Sequence, residues 1–179
     1  ESDWLRQRFD PVLIYLARDG RDFVRSAYTR KVYTEQDLQQ PLVPRDGDPA
    51  AARWDSWSRF EQLCWYWNHT NAYFLERGFA VHQVEPCWKN YAYFKQVISD
   101  PIGIAVPEAE WKTHVERPVN TSRQRQRKQW VKQLVGRGGD APQIAPIPHW
   151  TDWSKEQHRM FHDICGETMS KLGYALETV

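Results

Sequence analysis

The sequence predicts a helix-rich α/β fold organised around a parallel sheet. Residues 11–17 (PVLIYLA) are a continuous apolar run with β-branched and aromatic members, bounded by Pro11 and by the charged turn Arg18-Asp19-Gly20-Arg21. Such a run suits a strand buried in a parallel sheet. Residues 79–84 (FAVHQV) form a second short strand, and a strongly amphipathic helix lies between the two.

The elements follow in order. After the first strand and its turn, residues 21–32 read as a helix with Phe23, Val24, Ala27 and Tyr28 inward. Residues 33–53 hold Pro41, Pro44, Pro49, Gly47 and several charges, with few apolar side chains. A stretch of that length without its own periodicity reads either as a lid or substrate loop or as a variable insertion. Residues 54–78 give the strongest helix, with Trp57, Phe60, Cys64, Trp67, Asn71, Phe74 and Leu75 at spacings of three and four and Gly78 as its stop. Residues 89–98 read as a helix with Tyr91, Phe94 and Ile98 on one side. Residues 107–116 read as another, opening with Pro107, Glu108 and Glu110. Residues 117–137 are basic, and 138–149 are a Gly/Pro loop. The last helix spans 154–172, with Ser154 and Gln157 as a capping box, Phe161, Ile164, Cys165, Thr168 and Leu172 on one face, and Gly173 at its end. Two strands do not make a sheet that covers this many helices. Either further strands lie within these residues or the sheet continues before Glu1, and the non-Met start favours the second.

The totals narrow the function classes. A chain of 179 residues with 41% hydrophobic and 26% charged residues suits one packed domain, here 1–179. The net charge of +1 argues against a general nucleic-acid or membrane-surface binder. Cys64, Cys87 and Cys165 form neither a CxxC pair nor a disulfide framework, and no apolar run approaches the length of a membrane span. Three cysteines are compatible with a bacterial cytosol or a Golgi lumen. His158 and His162 share an i,i+4 spacing but lack a third ligand, so no metal site is expected. Asn68-His69-Thr70 and Asn120-Thr121-Ser122 are sequons that matter only in a secretory setting.

Two signals carry chemistry. The turn Arg18-Asp19-Gly20-Arg21-Asp22 ends a buried strand, where ligands of open α/β sheets bind. Arg18 there can fork onto a phosphate, and Ser26 lies eight positions on, on a helix whose N-terminus favours anions. An ordinary solvated turn accounts for the same residues on physics alone. The segment from Arg117 to Lys132 gathers Arg123, Arg125 and Arg127 with Lys128. It is either a solvated basic face or the partner of an anion, and RNA is a weaker third possibility because no aromatic residue interleaves the arginines before Trp130.

The stretch PVLIYLARDGRDFVRSAY resembles the 3′-phosphate-binding strand, turn and helix of sulfotransferases that use 3′-phosphoadenosine 5′-phosphosulfate (PAPS), in which an Arg-x-x-Arg/Lys-Asp turn precedes a Ser at the same eight-residue offset. Residues 54–83 resemble that family's Trp-rich helix ending in Leu-x-x-Gly before a short strand. VNTSRQRQRKQW, a Pro-containing loop and HWTDWSKEQHRMFHDICGETMSKLGY are similar to its basic segment and final helix. The resemblance runs in order along nearly the whole chain. It implies a P-loop-like parallel sheet, PAPS and its product 3′-phosphoadenosine 5′-phosphate (PAP) as cofactors, and a hydroxyl or amine acceptor of the sulfuryl group. Carried over, Arg18 and Ser26 hold the 3′-phosphate, and Arg123, Arg125 or Arg127 closes over it.

The chain departs from the family in three places. It lacks the Arg-Lys-Gly form of the basic segment. The second strand ends His82-Gln83-Val84-Glu85-Pro86 rather than Arg-Tyr-Glu-Asp. No Gly-x-x-x-x-Gly-Lys or Pro-Lys-Ser-Gly-Thr-like loop occurs, so the 5′-phosphosulfate cradle is expected before Glu1 and no catalytic residue is assigned. The expectation is an N-terminally incomplete sulfotransferase fold with an unpaired sheet edge that favours association. A non-catalytic anion- or partner-binding domain on the same fold is the alternative.

Overall fold

The computed structural model describes residues 2–9, 11–30, 32–35, 42–116 and 147–176. They form two compact units, Glu1–Arg18 with Phe74–Pro118, and Asp19–Tyr73 with Val119–Val179.

The first unit holds the sheet. Helix α1 (Ser2–Phe9), which the sequence reading did not foresee, precedes strand β1 (Tyr15–Ala17). Strand β2 (Val81–Gln83) pairs with β1 in parallel, with Tyr15 opposite Val81 and Ala17 opposite Gln83. The Val84 N–H donates to the Ala17 carbonyl at 2.8 Å and extends the ladder by one bond. The apolar run 11–17 therefore contributes only its last three residues to the strand. Val12 and Leu13 are 58% and 37% exposed, because the three-residue partner offers no ladder to the earlier residues. Tyr15 stacks on Phe74 at 4.0 Å, and Phe74 meets Phe79 edge-on at 5.3 Å. These three rings shield the start of the strand pair.

After β2 come α2 and α3 of this unit in chain order. These are the short helices Glu85–Lys89 and Tyr91–Phe94. The helix expected over 89–98 thus starts two residues later, at Tyr91. Asn90 turns extended ahead of it and uses its side chain to accept the Tyr93 N–H at 3.1 Å. Beyond Phe94 the helix widens into a π turn (Lys95–Ser99) and closes as α4 (Asp100–Ile102). Pro101 explains the widening, since it has no N–H to return to the Val97 carbonyl. Helix α5 (Glu108–Val115) buries Trp111, whose indole N–H donates to the Cys87 carbonyl at 3.0 Å.

The second unit is helical. Helix α6 (Gly20–Tyr28) shows Val24 and Ala27 buried and Phe23 and Tyr28 half-buried, on the face the sequence predicts, though it ends four residues earlier than expected. Arg59 donates to the Tyr28 carbonyl at its end at 2.8 Å and to the Val32 carbonyl beyond it at 2.7 Å, while lying 4.3 Å over the Tyr28 ring. A 3₁₀ helix (Ala51–Ser56) leads to the long helix α7 (Arg59–Glu76). That helix begins at Arg59 rather than 54. Ser58 and Glu61 form a reciprocal cap, with the Ser58 N–H donating to Glu61 Oε2 at 2.8 Å and the Glu61 N–H to Ser58 Oγ at 3.3 Å. Its buried residues are Phe60, Leu63, Cys64, Trp65, Trp67 and Asn71. Gly78, at φ 67°, ends it with bonds from Phe79 to Phe74 and from Gly78 to Leu75, a Schellman pair.

The final helix α8 (Lys155–Lys171) carries the expected capping box, with Ser154 Oγ accepting the Gln157 N–H at 3.1 Å and Gln157 Oε1 accepting the Ser154 N–H at 2.9 Å. Gly173 ends it at φ 75°. Helices α7 and α8 share a core of Phe60, Cys64, Trp67, Phe161, Cys165 and Met169, sealed by Trp153 edge-on to Phe60 at 5.0 Å. The Cys165 thiol donates to the Cys64 carbonyl at 3.4 Å. Gly20 lets α6 join this core: a Cβ there would stand 3.1 Å from Trp67 Cδ2 and Phe161 Cζ.

The helix-rich architecture with its small parallel sheet is an α/β arrangement in the broad sense. Among the described residues, no helix is long and apolar enough to cross a membrane.

Candidate functional site

The turn between β1 and α6 is built by local bonds. Asp19 caps α6, its Oδ1 accepting the Arg21 N–H at 2.8 Å. The same carboxylate receives Arg21 Nε at 3.0 Å and Nη2 at 2.6 Å. Arg21 also lies 4.6 Å over the Trp150 ring. Both partners are largely buried, at 14% and 16% exposure, so this ion pair is a fixed part of the turn. The second arginine of the Arg-Asp-Gly-Arg-Asp motif is therefore committed to holding the turn and the α6 N-terminus.

Arg18 follows β1 directly and is exposed, the last residue of the first unit. Ser26 is half-buried on α6 in the second unit, where its carbonyl accepts the Thr29 hydroxyl at 2.8 Å. Arg123, Arg125 and Arg127, and the whole basic segment, lie outside the described residues. Glu85, in the segment that departs from the family's Arg-Tyr-Glu-Asp, opens the short helix after β2.

The loop read as lid or substrate loop contributes a constellation that the sequence reading missed. Its described part packs against α7. Tyr33 meets Trp54 edge-on at 5.2 Å, and Trp54 meets Trp65 at 5.1 Å. The Trp57 indole N–H is buried with no hydrogen-bond partner among the described residues. His69 stacks on Trp65 at 4.6 Å with a 25° interplanar angle. Asp48 Oδ2 lies 3.7 Å from His69 Nδ1. That carboxylate is itself anchored, because Asp48 Oδ1 accepts the Ala50 N–H at 2.8 Å and the Asp48 N–H donates to the Arg45 carbonyl at 3.0 Å. The i,i+4 spacing of Trp65 and His69 was visible in the sequence, whereas the approach of Asp48 was not.

Two histidines near the last helix have neighbours of their own. His149 pairs with Thr151 at 3.0 Å, and His158 lies beside Trp150 and Trp153. No group of three His, Cys, Asp or Glu among the described residues is arranged to hold a metal. A cavity of about 460 Å³ in the first unit is lined by Tyr91, Lys95, Ser99, Asp100 and the 103–107 segment. Its polar groups already bond one another: the Tyr91 hydroxyl donates to the Val106 carbonyl at 2.6 Å and Lys95 to Asp100 at 2.6 Å. Burial pushes the Cys87 and Cys165 thiols above their usual range, so neither is a ready nucleophile.

Comparison of the chain with protein-family models, with curated proteins and with solved structures found no match.

Proposed function

We propose that this chain supplies the 3′-phosphate-binding part of a PAPS-dependent sulfotransferase acting on a hydroxyl or amine acceptor. The supporting observation is local: residues 15–28 fold as strand, charged turn and helix, in the order the resemblance requires, and the strand is paired in parallel. The donor set suits a phosphate. Arg18 carries a guanidinium just after β1, and Ser26 carries a hydroxyl eight positions on, at the offset the resemblance gives them. When bound, PAPS supplies the activated sulfuryl group. The chain's own part is selectivity, because a nucleotide without the 3′-phosphate leaves the cationic donors unmatched.

The absence of a Gly/Lys phosphosulfate loop from these residues keeps a second reading in view, a non-catalytic anion- or partner-binding domain. Thermal unfolding tests the first reading. PAP at 100 times its dissociation constant should stabilise the chain by about 2.7 kcal/mol, and AMP at equal concentration should give much less. Equal small shifts with both would favour the second reading.

A further inference from the structure

We infer that Asp48, Trp65 and His69 form a solvent-facing acid–base site in which His69 Nε2 takes the proton from a hydroxyl-bearing substrate. The inference stands apart from the 3′-phosphate reading, since neither Arg18 nor Ser26 enters it.

A general base needs a fixed ring, a fixed tautomer and an open edge. Trp65 fixes the ring: it is 5% exposed, is braced by Trp54, and offers its face to the imidazole at 4.6 Å. Asp48 fixes the tautomer. A carboxylate facing Nδ1 favours a proton on that nitrogen, which leaves the lone pair on Nε2. The 3.7 Å separation is an ion-pair distance, longer than a hydrogen bond, as catalytic contacts often are before substrate binds. The open edge is present as well. The His69 side chain is 45% exposed, and among the described residues none hydrogen-bonds Nε2. Asp48 would then stabilise the imidazolium once the proton has moved. A histidine placed only for packing needs no anchored carboxylate at Nδ1.

The probe is ethyl dichloroacetate, an ester whose poor leaving group favours water attack over attack by the imidazole itself, hydrolysed by the full chain. Nε2 accepts one proton from water as the water oxygen bonds the acyl carbon. The C–O bond to the ethoxy group then breaks as that oxygen takes the proton from Nε2, ethanol and dichloroacetic acid form, and the acid loses its proton to solvent. His69→Asn should lower the rate above background about 100-fold, the weak end of general-base effects because the site is half exposed, and Asp48→Asn should lower it less. His162→Asn, on an exposed face of α8, should leave the rate unchanged. Nitrogen-15 NMR of the imidazoles gives a readout that folding defects do not mimic. The neutral His69 ring should carry its proton on Nδ1, the minor tautomer in water, and should revert to Nε2–H in Asp48→Asn. A wild-type ring protonated on Nε2, or a rate unaffected by His69→Asn in a folded protein, overturns the inference.

Discussion

Gly20 packs closely against the core of the second unit. Its ideal Cβ would lie 3.1 Å from Trp67 Cδ2 and Cε2 and 3.1 Å from Phe161 Cζ. Neither ring has room to retreat, as Trp67 is 2% exposed and Phe161 4%. Gly20→Ala therefore overpacks the core, at a cost of about 1–3 kcal/mol. The helix propensity of Ala offsets at most about 1 kcal/mol of this, and less in a first turn. The net loss should be about 1–2 kcal/mol, which lowers the melting temperature by about 2–8 °C for a chain of this size. Urea unfolding followed by tryptophan fluorescence reads the same quantity. A double-mutant cycle with Trp67→Phe isolates the contact, because phenylalanine removes the fused ring atoms that the new methyl meets. Gly20→Ala should cost less in that background, with a coupling of about 0.5–1.5 kcal/mol. A stabilising Gly20→Ala, or a cycle additive to within about 0.3 kcal/mol, would refute the packing argument.

Two further outcomes follow from the same core. Ser154→Ala removes the oxygen that holds the Gln157 N–H at 3.1 Å, and should destabilise by about 1 kcal/mol in urea unfolding; a change below about 0.2 kcal/mol would contradict the capping box. The buried Cys165 thiol, raised by burial above the ordinary value of 9.0, makes stability pH-dependent on the alkaline side. Below that value both states are protonated and stability is intact. Above it the unfolded thiol ionises while the native one does not, so stability falls as pH rises, by up to about 1.4 kcal/mol per pH unit. Cys165→Ala should flatten the slope of unfolding free energy against pH above 9.0, and an unchanged slope would show that this thiol does not contribute.

Local signals were legible and tertiary ones were not. The capping box at Ser154, the glycine stops at Gly78 and Gly173 and the buried face of α7 depend on residues within one or two turns, and the sequence displays them. The Ser58–Glu61 cap was equally visible but was masked by the apolar Trp54 and Trp57, whose periodicity belongs to the 3₁₀ segment and its flank. Asn90 moved the start of the helix expected over 89–98 to Tyr91, because its side chain caps the helix and its backbone stays extended. The strand was over-read at its start because an apolar run reports burial preference, whereas ladder length depends on the partner. At the candidate site, Arg18, Asp19 and Ser26 came from a contiguous motif. The packing of Arg21 on Trp150 and the approach of Asp48 to His69 are contacts between distant parts of the chain that no spacing encodes.

The central claim is a 3′-phosphate grip at Arg18, and titration calorimetry of PAP and AMP against the wild-type chain and Arg18→Ala tests it most directly. The account predicts that PAP binds the wild type much more tightly than AMP. In folded Arg18→Ala, PAP affinity should fall about 10–100-fold, the loss of one charge-assisted fork, with AMP little changed. Equal weak binding of both nucleotides by the wild type, or PAP affinity untouched in Arg18→Ala, would contradict it.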